Sequence, residues 1–257
     1  MKKLLSFILA MVMVLSLAAC GNKGDSGKTQ TKGNDVVNEN TTEEEKQTEE
    51  EKQTEMKGDS LDAIEEMVEK DVEDTIASLT RSYEDLQDKI DTYDKYKANV
   101  KTVETFYMDV VAKQQELTIR LREYALSYAE WILDSDSENK YDDLDEIYDV
   151  VYDNAADEVY DEIYNGILKD MYDVYYNDIL KDAYDTVEYS EWSDLRSDEY
   201  DFWSDSRSDS YEDWSDVRSD IYDFWSDMRS EMWDNDTERA KEKMEDLRED
   251  IQKLKNK

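Results

Sequence analysis

The side chains best suited to contact a ligand or a partner form an aromatic and arginine repeat near the C-terminus. Its unit is Trp-Ser-Asp-x-Arg-Ser-Asp-x-Tyr-Asp-Phe, and its tryptophans recur every eleven residues. Within the first unit Trp192, Arg196 and Tyr200 are four residues apart, so on a helix the guanidinium can lie between two aromatic faces. Such rings can also stack on other flat apolar groups, including those of sugars.

The helical geometry of this repeat favours packing over ligand binding. Eleven residues over three turns is about 3.67 residues per turn, which is typical of a straight helix or a gently right-handed supercoil. The aromatic residues then share one arc of the helix, and such a stripe more often packs against other helices than it binds a ligand. The second unit has Ser206, Ser210 and Asp213 at positions that are apolar in the other units. The predicted interaction face comprises Trp192, Arg196, Tyr200, Trp203, Trp214, Tyr222 and Trp225.

Carboxylates dominate the composition of the chain. It has 69 Asp and Glu against 31 Lys and Arg, a formal net charge of −38 and no histidine. A nucleic-acid partner is therefore not expected, because phosphates bind clustered Lys and Arg. Histidine triads are excluded, and carboxylate catalysis requires a cleft that separates two pKa values, which no pattern here suggests. We predict a non-catalytic protein without a cofactor.

One acidic segment has a spacing that suits a cation. Residues 134–145 place oxygen-bearing side chains at loop positions one, three, five, nine and twelve, between two helical patterns. The segment resembles the calcium loop of EF-hand proteins. It departs from that family at Asn139, where the loop has glycine, and at Asp145, where the loop has a bidentate glutamate. We assign no metal ligand here, and calcium binding stays the alternative to a simple connector.

The N-terminus has the features of an export signal. A positively charged start and an apolar run precede Cys20, the only cysteine. The stretch Leu17-Ala18-Ala19-Cys20-Gly21 resembles the lipobox of bacterial lipoproteins. That resemblance implies a signal peptide over 1–19, cleavage before Cys20, and a diacylglycerol on the Cys20 thiol. The protein would then be extracytoplasmic and anchored to the bacterial cytoplasmic membrane, since two acyl chains give stable anchoring.

A polar segment separates this anchor from the rest of the chain. Residues 20–58 contain five of the six glycines and few apolar side chains. Such a segment cannot offset its ordering entropy by burial, so we predict a disordered linker.

The remaining chain predicts an all-α protein, an elongated helical bundle or coiled coil. After Gly58 only Gly166 interrupts the helix-forming residues, and there is no proline. A heptad seam within 59–133 indicates coiled-coil packing. The apolar heptad pattern is interrupted between Lys97 and Glu104. This segment is either a polar stretch that sets the register within one long helix or the bend of a helical hairpin. The lack of turn residues there favours a continuous helix.

After a connector at 134–140, the region 141–190 has a different period. Apolar pairs recur every four residues, and 172–183 matches 160–171 at eight of twelve positions. On an α-helix of 3.6 residues per turn, each four-residue step rotates the stripe by about 40°. We therefore predict either a helix break near Asn165 and Gly166 or neighbouring helices on several sides. The eleven-residue repeat then occupies 191–235, and a charged C-terminal helix occupies 236–257.

Together these features predict a lipid-anchored scaffold or interaction protein of the bacterial cell envelope. Its partners would be the membrane, through the anchor, and a protein or a second copy, through the aromatic helical faces. The alternative is an extracytoplasmic binding lipoprotein for cations such as calcium or for cell-wall glycans.

Overall fold

The computed structural model describes residues 60–256. The predicted signal peptide, Cys20 and the linker at 20–58 lie outside the described residues. All regular elements of the described part are helices, so the predicted all-α helical bundle is confirmed. No helix among these residues combines the length and the apolar character of a membrane span.

The first two long helices form a hairpin. Helix α1 spans Leu61–Lys89, a short helix α2 spans Tyr93–Ala98, and helix α3 spans Val100–Asp134. Arg120 of α3 pairs with Asp71 of α1, and Tyr83 stacks on Phe106, so α1 and α3 are antiparallel.

The preference for a continuous helix through 97–104 is therefore wrong, and the hairpin alternative is correct. The chain reverses over residues 90–99 without glycine or proline. Burial explains the turn: Ile90 and the whole Tyr96 ring are inaccessible to solvent at the end of the bundle. This burial outweighs the local preference of the segment for helix, as tertiary packing commonly does.

The second half of the described chain alternates α and π turns before it ends in two α-helices. The elements are α4 Lys140–Asp143, π1 Ile147–Ala155, α5 Ala156–Val159, π2 Tyr160–Ile167, α6 Leu168–Tyr172, π3 Asp173–Leu180, α7 Tyr189–Trp233 and α8 Thr237–Lys255. We call the continuous stretch 147–180 the π-rich helix. The turn before α8 places Asn235 at a φ of 58°, in the left-handed region that asparagine tolerates, and the Asp236 side chain caps α8.

The π turns explain the four-residue period. The N–H of Ala156 donates to the carbonyl of Val151, five residues back, whereas the N–H of Tyr160 donates to Ala156, four residues back. A helix that alternates these turns has about four residues per turn, which is more than the 3.6 of an α-helix. A stripe of period four therefore stays on one side of the helix.

The predicted break near Asn165 and Gly166 does not occur. Both residues lie inside π2, and the helical hydrogen bonds continue with the N–H of Leu168 donating to the carbonyl of Ile163. The prediction was wrong because it assumed 3.6 residues per turn. The other alternative, neighbouring helices on several sides, is correct, because α1, α3 and α7 all contact the π-rich helix.

The long helices pack as a four-helix bundle with a fifth helix against it. Tyr107 contacts Glu199 and Arg122 contacts Asp220, so α3 and α7 run parallel. The ring contacts described below make α7 antiparallel to the π-rich helix, and α1 packs against both α3 and the π-rich helix. Helix α8 folds back along α7 and α3. The shared core is mostly apolar.

Candidate functional site

The interface between α7 and the π-rich helix is a regular stack of rings, which we call the aromatic ladder. Each tryptophan of the eleven-residue repeat meets a tyrosine of the π-rich helix or of the turn that follows it. The ring centroids are 4.8 Å apart for Tyr148 and Trp225, 4.3 Å for Tyr160 and Trp214, 4.3 Å for Tyr172 and Trp203, and 4.8 Å for Tyr184 and Trp192. The first three contacts join the two helices. Tyr184 lies in the turn after the π-rich helix and meets Trp192 edge-on, at an interplanar angle of 71°.

The ladder keeps a repeat of twelve residues in register with a repeat of eleven. Eleven residues of α7 rise about 16.5 Å, and each such step is matched by twelve residues of the π-rich helix. The wider turns also place residues i and i+4 almost directly above one another. Tyr160 and Tyr164 accordingly stack with centroids 4.7 Å apart and an interplanar angle of 15°. The other two tyrosine pairs, Tyr148 with Tyr152 and Tyr172 with Tyr176, also stack at 4.7 Å.

Arginines connect successive rungs of the ladder. The Arg196 guanidinium carbon lies 4.0 Å from the centroid of Tyr176 and 5.2 Å from that of Trp192. The sequence predicted Tyr200 as the second ring, but the structure supplies it from the facing helix. Cation–π contacts of this kind contribute about 0.5–2 kcal/mol each. The same arrangement holds for Arg207 between Tyr164 and Trp203, Arg218 between Tyr152 and Trp214, and Arg229 between Tyr141 and Trp225.

The two ends of the ladder differ in their polar contacts. Arg218 also donates to Asp157 of the π-rich helix. Arg229 also donates to Asp145, just before that helix. Within residues 60–256, the buried Nε atoms of Arg196 and Arg207 have no hydrogen-bond partner, and neither have the indole nitrogens of Trp203 and Trp214. Around Arg196 and Arg207 the ladder is therefore held, within the described residues, by ring stacking and cation–π contacts rather than by ion pairs.

The solvent side of α7 carries a second set of rings, which we call the exposed aromatic row. Its members are spaced by eleven residues and are 64%, 45%, 48%, 44% and 73% exposed; they are Tyr189, Tyr200, Tyr211, Tyr222 and Trp233. The row extends over about 66 Å of helix.

The predicted interaction face thus divides between two places. Its four tryptophans and Arg196 lie in the ladder, whereas Tyr200 and Tyr222 lie in the exposed row. Sequence reasoning missed Tyr189, Tyr211 and Trp233, although their eleven-residue spacing would have identified them.

A buried glutamate lies at the core side of α7. The hydroxyls of Tyr96 and Tyr107 each donate to the Glu199 carboxyl at 2.7 Å, and the side chain is fully inaccessible to solvent. Burial penalises its charged form and raises the pKa of Glu199 to about 8, against the two tyrosine hydrogen bonds, which lower it. Glu199 occupies a variable position of the repeat that holds Ile221 two units later. The sequence alone did not identify a buried carboxyl at this position.

The polar second unit of the repeat has polar partners on α3. Gln114 donates to the carbonyl of Ser210 at 2.7 Å and accepts from its hydroxyl, while Thr118 donates to Asp213 at 3.0 Å. These residues form a satisfied polar layer of the core, as buried polar groups require. Burial raises the pKa of Asp213.

The EF-hand-like segment makes contacts with the ladder. Asp134 ends α3, and Asp145 accepts from Arg229 and from the Trp225 indole. Among residues 60–256 no group of three or more Asp, Glu, Cys or His side chains is arranged to hold a metal ion. No observation favours the calcium alternative over the connector.

Comparison with protein-family models, with curated proteins and with solved structures finds no match to this chain.

Proposed function

We propose that this chain is a non-catalytic scaffold or interaction protein of the bacterial cell envelope, anchored to the cytoplasmic membrane through lipidated Cys20. The observation that carries the proposal is the exposed aromatic row. Five large rings at one spacing lie along the solvent edge of the ladder, where Tyr211 also contacts Tyr164 at 6.0 Å, and they make a long and regular surface. Such a surface suits contact along a partner better than enclosure of a small molecule.

The chemistry of the row supports a protein partner. Tyrosine and tryptophan combine a large apolar area with a polar group and are enriched at protein interfaces. Each exposed tyrosine is braced by the tryptophan three residues on, as Tyr211 is by Trp214 at 5.5 Å. Because the rings are already fixed, binding costs little side-chain entropy.

The proposal is tested by photocrosslinking in intact cells. A photoreactive phenylalanine analogue in place of Tyr211 should give a discrete protein adduct. The same analogue in place of Ser78, which is exposed on α1, should not. Absence of any adduct from the row contradicts the proposal. An adduct that resists protease and is removed by cell-wall hydrolases supports the glycan alternative instead.

The anchor is tested separately with Cys20→Ser. We expect the variant to lose incorporation of a radiolabelled fatty acid, because the thiol that carries the diacylglycerol is lost. The far-ultraviolet circular dichroism of the purified protein should be unchanged. Immunoprecipitation from cells grown with the labelled fatty acid measures the result, and equal labelling of both forms, or of neither, refutes the lipid anchor.

A further inference from the structure

Helix α8 shows what kind of helix the groove between α3 and α7 accepts. Its buried face consists of four apolar residues at spacings of four, three and four; these are Ala240, Met244, Leu247 and Ile251. Basic side chains on its flanks reach carboxylates on both walls of the groove. Lys243 pairs with Asp227 of α7 at 2.8 Å, and Lys255 pairs with Glu123 of α3 at 2.6 Å.

The groove continues beyond the last turn of α8. Because α8 runs antiparallel to α3 and α7, its C-terminal end points toward the N-terminal halves of both helices. There the two helices leave an open groove of about 330 Å³. Its lining includes Glu104, Met108 and Ala112 of α3 and Phe202, Asp205 and Asp209 of α7. Met108 is 60% exposed, so it adds an accessible apolar side chain to this lining.

The repeat of α7 presents two of the same side chains at both places. Asp205 and Phe202 precede Asp227 and Phe224 by 22 residues, which is two repeat units or about 33 Å along the helix. Asp227 is paired with Lys243, and Phe224 is buried. Asp205 is exposed, and Phe202 is only partly buried. The open groove therefore shares a phenylalanine and an acidic rim with an established docking surface. It differs in that Ser206 stands where the later unit has Met228, so α3 supplies most of its apolar lining, through Met108, Val111 and Ala112.

We propose that the open groove binds a basic amphipathic helix of a partner protein. The helix would have about three turns, a seam of small or medium apolar residues, and Lys or Arg on both flanks, as α8 has. This proposal rests on the proposed function as an interaction protein and names a partner chemistry for it. The net charge of −38 favours a basic partner and disfavours a second copy of this acidic chain.

The test uses a peptide derived from the sequence of α8. The probe is a fluorescent peptide of residues 237–255 with every Asp and Glu replaced by Gln, which keeps the apolar seam and the basic flanks. Its fluorescence anisotropy is measured with the full chain without its signal peptide and with Cys20→Ser, which leaves the linker and every helix of residues 60–256 in place. We expect saturable binding to this protein.

Matched variants test whether the peptide binds in the open groove. Asp205→Lys should weaken binding by about tenfold, while Asp88→Lys, the same charge change at an exposed site of α1, should weaken it less than about twofold. Ala112→Lys should likewise weaken binding about tenfold, and Ala77→Lys on α1 should not. Circular dichroism verifies that each variant is folded, as expected for substitutions at exposed positions.

Several results would overturn the proposal. The first is absence of saturable binding, and the second is an equal loss of affinity in the groove variants and the α1 variants. The third is a loss of affinity with Asp227→Lys but not with Asp205→Lys, which would place the peptide in the site of α8. Dimerisation that Asp205→Lys abolishes, measured by sedimentation, would identify a second copy as the occupant. The photocrosslink at Tyr211 does not involve the groove, so this proposal and the proposed function can fail separately.

Discussion

The bundle should lose stability as the pH rises from about 4.5 to about 8, and Glu199→Gln should remove much of that loss. In the unfolded chain Glu199 ionises near its ordinary pKa of 4.5, whereas burial holds its pKa near 8 in the folded protein. Between these values the folded state keeps a proton that the unfolded state has lost. Raising the pH therefore favours unfolding by up to about 1.4 kcal/mol per pH unit.

The surroundings of Glu199 make this group the source of the effect. Phenols face it from four elements: Tyr83 of α1, Tyr96 of α2, Tyr107 of α3 and Tyr175 of π3. The pKa of each phenol is raised, so these tyrosines stay neutral throughout the range. The contribution of Glu199 is complete below about pH 4.5, falls until about pH 8, and is then constant. Its total is on the order of 5 kcal/mol.

Urea unfolding at a series of pH values measures this prediction, with Glu199→Gln as the control. The amide oxygen can accept from one tyrosine and the amide nitrogen can donate to the other, so the variant should fold. All other carboxylates are shared by both proteins, and the difference between the two curves isolates Glu199. Relative to wild type, the variant should become more stable with rising pH. Parallel curves would contradict a buried, protonated Glu199.

Single-residue deletions should have opposite outcomes in the two repeats of the ladder. A variant without Glu162, an exposed residue of π2, has eleven residues where there were twelve. Eleven residues make three turns of α-helix and rise about 16.5 Å, so the π turn can become an α turn while the rungs stay aligned. We expect a loss of less than about 2 kcal/mol, the scale of a typical point change.

A variant without Ser208, an exposed residue of α7, has no π turn that can absorb the change. All residues on one side of the deletion rotate by about 100° relative to the other side. Trp214 and Trp225 then leave the ladder, and Val217 and Ile221 leave the core. We expect loss of most of the folding free energy, which is about 5–15 kcal/mol for a domain.

Urea unfolding and the near-ultraviolet circular dichroism of the tryptophans distinguish the two deletions. The variant without Glu162 should keep the wild-type aromatic signal, and the variant without Ser208 should lose it. Equal damage from both deletions would show that the π turns do not set the register between the helices.

The eleven-residue repeat was sufficient to predict the helix α7 and its aromatic packing side. Its period of about 3.67 residues per turn matches an ordinary α-helix, so position in the repeat translates directly into position on a surface. The period of four in the π-rich helix could not be interpreted in this way, because π turns are rare and 3.6 residues per turn was assumed. The pairing of twelve residues with eleven becomes visible only when the two helices are placed side by side.

The hairpin bend and the buried glutamate depend on tertiary contacts. The bend at 90–99 has no glycine or proline and is made stable by burial of Tyr96. Glu199 occupies a position in the repeat that Ile221 fills elsewhere, and its burial depends on two tyrosine hydroxyls that come from α2 and α3. Neither local helix propensity nor the period of α7 indicates that Tyr96 and Tyr107 lie beside Glu199.

The aromatic ladder fixes the exposed row on one side of α7 and the open groove on another, so both proposed surfaces depend on its register. That register requires hydrogen bonds between residues i and i−5 in the π turns. Nuclear magnetic resonance couplings across hydrogen bonds, from amide nitrogen to carbonyl carbon, measure this pairing directly. We predict coupling of Ala156 to Val151 and of Leu168 to Ile163, with Tyr160 coupled to Ala156 between them. Coupling to residue i−4 throughout 147–180 would contradict the twelve-to-eleven register of the ladder.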